Sequence, residues 1–304
     1  MTDIIKIENL HKSFGDVKAV QNLSFKIKKG ELFAFLGVNG AGKSTTISII
    51  CGMLEKDAGK VFIDGVDTDL DGESLKGKIG VVFQNSVLDK SLTVLDNLKS
   101  RASLYGIFDK QLKDRIDYLS NLLGFKDLLN RTVGKLSGGQ RRKIDIARAL
   151  IHSPKILILD EPTTGLDPQT RLTLWQVIEK FRKEENMTVL LTTHYMEEAA
   201  DADYVVIIDG GKMVAEGTPL ELKNKYTGDF IYLYGVDEQT IKDLGVEYEK
   251  TASSIKILVE NTKKATELIT KNPQIFIDYE VTKGKMDSVF LSVTGKALNG
   301  GENK

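Results

Sequence analysis

The chain has 304 residues, a formal net charge of -1 and 41% apolar residues. That length accommodates one large or two ordinary domains, and the balanced charge lacks the basic excess of most nucleic-acid-binding proteins. The single cysteine, Cys51, excludes a disulfide framework and fits a reducing compartment. No signal-like leader opens the chain and no run reaches the ~18 apolar residues of a membrane span, so a membrane role would require a partner chain.

The first elements predict strands around a glycine-rich loop. Residues 4–10 and 18–27 have the apolar pattern of strands, with Ser13 and Phe14 in the turn between them. Residues 31–36 are apolar after Glu31, as in a buried strand, and the segment after the glycines reads as a helix that carries Cys51 as a core residue. A strand, a glycine loop and a helix form the context of a phosphate-binding loop.

Residues 37–45 match the phosphate-binding pattern G-x-x-x-x-G-K-[ST]. Glycines let the backbone wrap around a polyphosphate, while loop N–H groups and the helix N-terminus donate to the anion. We expect Lys43 to reach the β- and γ-phosphates and Ser44 to place its hydroxyl on Mg²⁺. The alternative is a glycine-rich turn with a chance lysine. The residues expected to bind nucleotide here are Gly37, Asn39, Gly40, Ala41, Gly42, Lys43, Ser44 and Thr45.

Further along, two helices follow each other without an intervening strand. Thr93 begins a segment with capping-box spacing, and apolar residues recur at helical intervals to Leu123. This predicts a helical insertion over about residues 93–135. The preceding loop, residues 85–92, has no regular period. We predict that its apolar residues, Leu88 in particular, contact a partner protein, with packing into the insertion's own core as the alternative.

Three apolar strands end in polar side chains that suit nucleotide chemistry. Gln84 ends residues 79–84, Asp160 and Glu161 follow a buried run, and His194 ends another. Ligands bind at the carboxyl ends of strands in α/β sheets. We expect Asp160 and Gln84 to serve Mg²⁺ or its water, Glu161 to polarise an attacking water, and His194 to donate to a γ-phosphate. Each also has a non-functional alternative when considered alone: an acidic turn for Asp160 and Glu161, a surface amide for Gln84 and a structural histidine for His194. The predicted catalytic residues are Glu161, His194, Lys43 and Gln84.

Residues 136–140, Leu-Ser-Gly-Gly-Gln, begin a helix that runs to about Ile151. A hydroxyl, two unhindered amides and a helix dipole make its start a second candidate anion site. The alternative is an ordinary serine N-cap followed by two turn glycines. The residues assigned to this site are Ser137, Gly138, Gly139 and Gln140.

Alternating strands and helices predict an α/β fold with a mainly parallel sheet over residues 1–226. The pattern then changes to shorter elements, with strands predicted at 230–234 and 275–281. Their β-α-β-β-α-β order predicts a small α+β module over 227–304, ferredoxin-like in arrangement, that ends in a frayed tail at 300–304.

Over about residues 3–225, the ordered motifs resemble the ATP-binding-cassette (ABC) ATPases, in which 136–140 is the signature segment. The resemblance implies a P-loop NTPase cassette with an antiparallel β subdomain. By it, Phe14 looks like the aromatic that stacks on adenine, Gln84 like the Q-loop residue, Asp167 like the D-loop acid, and His194 like the switch histidine. Phe14 stands where tyrosine is more frequent, and Gly165 where alanine is common.

In that family two cassettes dimerise head to tail, with ATP between the glycine loop of one and the signature segment of the other. The segment after Tyr226 resembles the C-terminal module of drug-resistance and ABC-2-type exporter ATPases. The resemblance therefore implies the ATPase subunit of an exporter, using ATP and Mg²⁺. Its partners would be a second copy and a transmembrane permease, with no nucleic acid, and it would sit on the cytoplasmic face of the membrane.

Three other functions remain open. Soluble cassette proteins that act on ribosomes or DNA usually carry two cassettes or long coiled coils, and this sequence shows one glycine-loop motif and no coiled coil. An importer ATPase would differ mainly in its C-terminal extension. A P-loop kinase would not need residues 136–140.

Overall fold

The computed structural model describes residues 2–295 and, of Glu73, only the backbone. The predicted tail at 300–304 lies outside the described residues. The strands are β1 (Asp3–Phe14), β2 (Val17–Lys28), β3 (Leu32–Leu36), β4 (Ala58–Ile63), β5 (Val66–Asp67), β6 (Ile79–Val82), β7 (Ile156–Asp160), β8 (Thr188–Thr193), β9 (Tyr204–Asp209), β10 (Lys212–Gly217), β11 (Asp229–Leu233), β12 (Tyr248–Lys250), β13 (Ile255–Val259) and β14 (Tyr279–Lys283).

Helices alternate with these strands and cover both faces of the largest sheet. They are α1 (Lys43–Ile50), α2 (Thr68–Asp71), α3 (Val94–Ser103), α4 (Asp109–Leu123), α5 (Gly138–Leu150), α6 (Pro168–Glu185), α7 (Met196–Ala200), α8 (Pro219–Tyr226), α9 (Glu238–Lys242), α10 (Thr262–Lys271) and α11 (Met286–Thr294). Short 3₁₀ turns occupy Glu73–Lys78, Lys126–Leu128 and Val133–Lys135.

The largest sheet has six strands in the order β10-β9-β3-β8-β7-β6. All neighbours are parallel except the hairpin of β9 and β10. Every residue of β3, β7 and β8 is buried. Strands buried on both faces have continuously apolar sequences, which is why these runs were recognisable. The predicted α/β architecture is confirmed, and the carboxyl ends of β3, β6, β7 and β8 meet at one edge of the sheet.

A four-stranded antiparallel sheet, in the order β2-β1-β4-β5, packs against β3. Phe25 of β2 stacks on Phe33 of β3 with ring centroids 5.2 Å apart, within a second core cluster. Cys51, at the end of α1, packs against the same cluster. The sequence placed Phe14 in a turn, and that was wrong: β1 continues through Phe14 because it pairs with Val17 across the hairpin.

Two helices, α3 and α4, lie between β6 and α5, in the segment for which the sequence predicts a helical insertion. The Thr93 hydroxyl accepts a hydrogen bond from the Asp96 amide and begins α3, and α4 ends at Gly124 in the left-handed conformation, with φ 66°. Leu98 of α3 and Leu119 of α4 are fully buried in one cluster with residues of α5. The insertion is therefore continuous with the core under the large sheet and is attached to it mainly through α5.

The loop after Gln84 differs from its prediction. Leu88 is only 6% exposed and belongs to the large core cluster, whereas Val87 is 49% and Leu92 39% exposed. The prediction that Leu88 contacts a partner is therefore wrong. A charge at Leu88 would be buried without compensation and would destabilise the chain itself.

The C-terminal residues form a third sheet, ordered β12-β13-β11-β14 and antiparallel throughout, which is a split β-α-β arrangement. It has a core cluster of its own. The last strand is shifted from the predicted 275–281 to Tyr279–Lys283. Phe276 instead packs into the cluster from a loop at 4% exposure, and Ile277 is 82% exposed.

Helix α11 was not predicted, and it packs on the first domain rather than on the third sheet. Met286, Val289 and Phe290 are buried in the large cluster, together with Met196 of α7 and Leu222 of α8. The chain thus leaves the first domain at β11 and returns to it at α11. The predicted division at residue 226 assigns α11 to the C-terminal module, whereas its buried residues belong to the core cluster of the first domain.

We predict that Phe290→Ala lowers the free energy of unfolding of the first domain by about 3–5 kcal/mol, since it removes a fully buried ring. Urea unfolding followed by the fluorescence of Trp175, the single tryptophan, reports on this core because Trp175 packs against it. Leu291→Ala on the same helix is the matched control, since Leu291 is 49% exposed. Equal effects of the two substitutions would show that α11 does not support this core.

Candidate functional site

The glycine loop connects β3 to α1 and forms the floor of a cleft of about 470 Å³, here called the glycine-loop cleft. Gly42, just before α1, has φ 105°, and a Cβ there would lie 2.4 Å from the Ala19 carbonyl oxygen. Both the positive φ and the close contact therefore require glycine at this position. The lining residues are Val17, Lys18, Ala19, Asn39, Gly40, Gly42, Lys43, Ser44, Thr45, Gln84, Glu161 and Gly210. Of these, Val17, Lys18, Ala19 and Gly210 were not predicted from the sequence.

Lys43 is folded into its own loop at 4% exposure. Its Nζ donates to the carbonyl oxygens of Gly37 at 2.7 Å and Val38 at 3.2 Å, and lies 3.4 Å from Glu161 Oε1. Burial lowers the pKa of Lys43, and the nearby Glu161 carboxylate opposes that shift. The first residue of α1 therefore brings a positive charge to the helix N-terminus, where the amide groups also attract anions.

Asp160 and Ser44 meet at the edge of the sheet. The Ser44 hydroxyl donates to Asp160 Oδ1 at 3.4 Å, and the Thr192 hydroxyl donates to the same oxygen at 2.5 Å. Hard oxygen donors of this kind fit Mg²⁺, which commonly takes one or two carboxylates together with substrate phosphates and water. Within residues 2–295, no cluster of three or more His, Cys, Asp or Glu side chains could hold a metal by protein groups alone.

Glu161 is the point at which the predicted catalytic side chains converge. Gln84 Nε2 donates to Glu161 Oε2 at 3.1 Å, and His194 Nδ1 lies 3.3 Å from Oε1, the oxygen that Lys43 also approaches. Glu161 has φ 47°, a left-handed conformation that is unusual for a non-glycine residue. Its N–H donates to the carbonyl and to the hydroxyl oxygen of Thr192, both at 3.1 Å, which helps to hold this conformation.

Arg142 and Thr192 bind the same region, and sequence reasoning missed both. Arg142 lies on α5, and its guanidinium donates to three backbone carbonyls of the loops that carry Gln84 and Glu161. Two arginines after residues 136–140 do not by themselves indicate contact with the ATP site. The position of Thr192, one residue before the end of β8, is a weak indication, because β8 ends beside β7, which leads to Glu161.

The predicted second anion site lies apart from the glycine-loop cleft. The Ser137 hydroxyl accepts from the Gln140 amide at 3.2 Å, and Gln140 Oε1 accepts from the Ser137 amide at 3.0 Å, which completes a capping box. Asp167 caps α6, and a Cβ on Gly139 would lie 3.4 Å from its Oδ2. We call Ser137, Gly138, Gly139 and Asp167 the signature patch; none of them lines the glycine-loop cleft.

Phe14 lies at the end of β1 with its side chain 50% exposed. Val17, with which it pairs across the hairpin, lines the glycine-loop cleft. Lys12 Nζ lies 5.6 Å from the Phe14 ring centroid, so one face of the ring already has a cationic neighbour. The ring is thus an exposed aromatic group near the rim of the cleft.

Comparisons with known proteins agree with this geometry. Residues 20–164 match the family model described as ABC transporter. The chain is 34% identical to the linearmycin resistance ATP-binding protein LnrL of Bacillus subtilis, over 97% of this chain and 99% of that protein. The chain belongs to the ABC transporter ATPases. It is 33% identical to the Nod factor export ATP-binding protein I of Cupriavidus pinatubonensis, over 98% of this chain and 93% of that protein.

Solved ABC cassettes show the same fold. The dimeric cassette MJ0796 bound to ADP and Pi superimposes with a TM-score of 0.64 at 29% identity, and the match covers 71% of this chain and 98% of that one. The cbiO1 subunit from Clostridium perfringens gives a TM-score of 0.67 at 30% identity, and the match covers 73% of this chain and 91% of that one. This chain is accordingly an ATP-binding and ATP-hydrolysing transporter subunit.

Glu161→Gln should lower the rate of ATP hydrolysis by about 10²–10⁴-fold, since an amide cannot take a proton from water. The affinity for ATP should be retained because the glycine loop is unchanged. Steady-state hydrolysis and equilibrium binding of ATP measure the two effects. Glu197→Gln, an exposed glutamate on α7, is the control. A Glu161→Gln enzyme that hydrolyses ATP at the control rate would remove Glu161 from this role.

Proposed function

We propose that this chain powers export through a separate membrane protein, working as a head-to-tail dimer with two composite ATP sites. The named relatives with near-complete coverage serve export and drug resistance, which supports the direction of transport. Among residues 2–295, none of the helices has the length and apolar character needed to cross a membrane. We also propose that it works on the cytoplasmic face of the membrane, through a permease subunit.

The observation that carries the composite site is the environment of Gly138. A Cβ built on Gly138 meets no atom within 4 Å, and its backbone has no positive φ that would demand glycine. The chain's own fold therefore does not require glycine there, although close approach by another molecule would. The signature patch also lies outside the glycine-loop cleft of its own chain. A phosphate held by a second copy's glycine loop would satisfy both facts, and solved relatives form dimers.

Within that dimer we assign the side chains as follows. Lys43 and the loop amides bind the β- and γ-phosphates, and Ser44 with Asp160 holds Mg²⁺, which would neutralise phosphate charge. Gln84 and His194 orient the groups around the γ-phosphate, and Glu161 polarises the attacking water. Phe14 stacks on adenine. The runner-up functions, an importer ATPase or a non-membrane cassette protein, use the same site and have no specific observation here in their favour.

Two heterodimers separate a composite site from a site within one chain. Pairing Lys43→Ala with Gly138→Asp leaves one interface with an intact glycine loop facing an intact signature patch. Pairing wild type with the Lys43→Ala/Gly138→Asp double variant leaves no intact interface. Purified through two different tags, the first heterodimer should hydrolyse ATP and the second should not. A site within one chain would give the opposite result.

We place the permease contact in a groove of about 570 Å³ between the end of α1, β6 and α3, here called the α1–α3 groove. Apolar side chains such as Met53 and Leu75 line it, and Arg101 of α3 and Tyr105, in the turn after α3, form one wall. Phe83, which directly precedes Gln84, lines it as well. A permease helix in this groove would touch the main chain that leads to Gln84. We therefore propose the permease contact here and not at Leu88.

Met53→Asp tests this contact, because Met53 is 54% exposed and the charge costs the isolated chain little. We expect the copurifying permease to dissociate and transport to fall, while the isolated subunit keeps its ATP affinity and melting temperature. Leu220→Asp on α8, at 56% exposure and outside the groove, is the matched control. A Met53→Asp subunit that still binds the permease and transports would place the contact elsewhere.

A further inference from the structure

Arg142 connects three parts of the ATPase through its guanidinium group. Nε donates to the carbonyl oxygen of Pro162 at 2.7 Å, and the Nη atoms donate to those of Phe83 at 2.5 Å and Glu161 at 2.9 Å. The side chain is 7% exposed. All three nitrogens of one planar fork are thus used on backbone oxygens from two loops that are far apart in sequence.

These contacts require an arginine for a physical reason. Burial lowers the pKa of Arg142, and the nearby Asp145 and Asp160 carboxylates oppose that shift. Buried charge is tolerated when its hydrogen-bonding groups are satisfied, and here three backbone oxygens do this. Lysine would bring a comparable charge but concentrates its donors on one atom, so it cannot span three separated oxygens with the same geometry.

The carbonyls that Arg142 binds belong to the main chain around two catalytic side chains. Phe83 directly precedes Gln84, while Glu161 is bound at its own carbonyl and Pro162 at the next one. The Gln84 and Glu161 side chains are themselves in contact, at 3.1 Å. Arg142 therefore fixes the spacing of the two backbones from which this pair projects.

Arg142 also acts on the unusual backbone of Glu161. With φ 47°, Glu161 persists in a left-handed conformation only if its surroundings hold it there. Thr192 accepts hydrogen bonds from the Glu161 N–H, and Arg142 donates to the Glu161 carbonyl, so the residue is held on both sides. Arg142 lies on α5, which begins at the signature segment and packs against the helical insertion. The Glu161 carbonyl is therefore bound by a side chain of that helix.

We propose that Arg142 is a positioning residue for ATP hydrolysis, which keeps Glu161 and Gln84 aligned without touching the nucleotide. It does not line the glycine-loop cleft. The inference rests on the proposed role of Glu161 and extends it. Through Arg142, α5 sets the geometry of Glu161 and Gln84, the hydrolytic pair, in its own chain, while the N-terminus of α5 faces the other copy. The alignment should therefore affect turnover and leave ATP binding unchanged.

Arg142→Lys should lower kcat by about 10–100-fold, the scale of a misplacement near 1 Å, with KM for ATP changed by less than about twofold. Arg115→Lys is the matched control, since Arg115 also donates from a largely buried fork to a backbone carbonyl, that of Leu150 at 2.7 Å, away from the site. It should lower the melting temperature and leave kcat unchanged. Arg142→Gln replaces the lysine variant if the latter does not fold.

The decisive measurement repeats Arg142→Lys in a Gln84→Ala background. If Arg142 aligns the pair, its substitution should cost a clearly smaller factor when Gln84 is already absent. A purely structural role would cost the same factor in both backgrounds and would overturn the proposal, as would an unchanged kcat for Arg142→Lys. Failure of the Arg142 proposal can be told apart from failure of the Glu161 assignment. The Glu161 assignment fails only if Glu161→Gln hydrolyses ATP at the wild-type rate.

Discussion

Three side chains from distant parts of the sequence converge on one buried carboxylate, that of Glu161. It is 6% exposed, and a charge at that depth is stable only when donors surround it. Lys43 approaches it from the glycine loop, Gln84 from the end of β6 and His194 from the end of β8. The strands that lead to these residues and to Glu161 are consecutive and parallel in the sheet, in the order β3-β8-β7-β6, so side chains far apart in sequence reach the same carboxylate. This shared edge explains why ligands bind at the carboxyl ends of such strands.

The same carboxylate is a partner of the glycine-loop lysine. The ammonium of Lys43 donates to two loop carbonyls and lies 3.4 Å from Glu161 Oε1. An incoming phosphate competes with these groups for one positive charge. Under the proposed assignment, a γ-phosphate bound to Lys43 would remove one partner from the Glu161 oxygen, which would then be available to water. Under the proposed assignment of Glu161, nucleotide binding and activation of this carboxylate would be linked by the Lys43 side chain.

The sequence predicted this part of the fold well for the same physical reason. Buried parallel strands are continuously apolar, and polar residues at their ends stand out, as Gln84, Asp160 and His194 do. Arg142 could not be predicted, because its partners are backbone carbonyls and any residue type supplies those. Leu88 was misassigned because an aperiodic loop does not reveal which of its apolar residues faces inward. Helix α11 was missed because its core lies in a domain that the chain had already left.

In the proposed head-to-tail dimer, each chain would contribute one half of each ATP site. The glycine-loop cleft would provide one half, and the backbone amides of Gly138 and Gly139 at the start of α5, which do not line that cleft, would provide the other. Helix α5 connects the two: its N-terminus carries those amides, and one turn later Arg142 binds the loops of Gln84 and Glu161. A phosphate that docks on the signature patch would therefore act on a helix already bonded to the other site's hydrolytic pair. The two sites of a dimer would then communicate through a rigid helix.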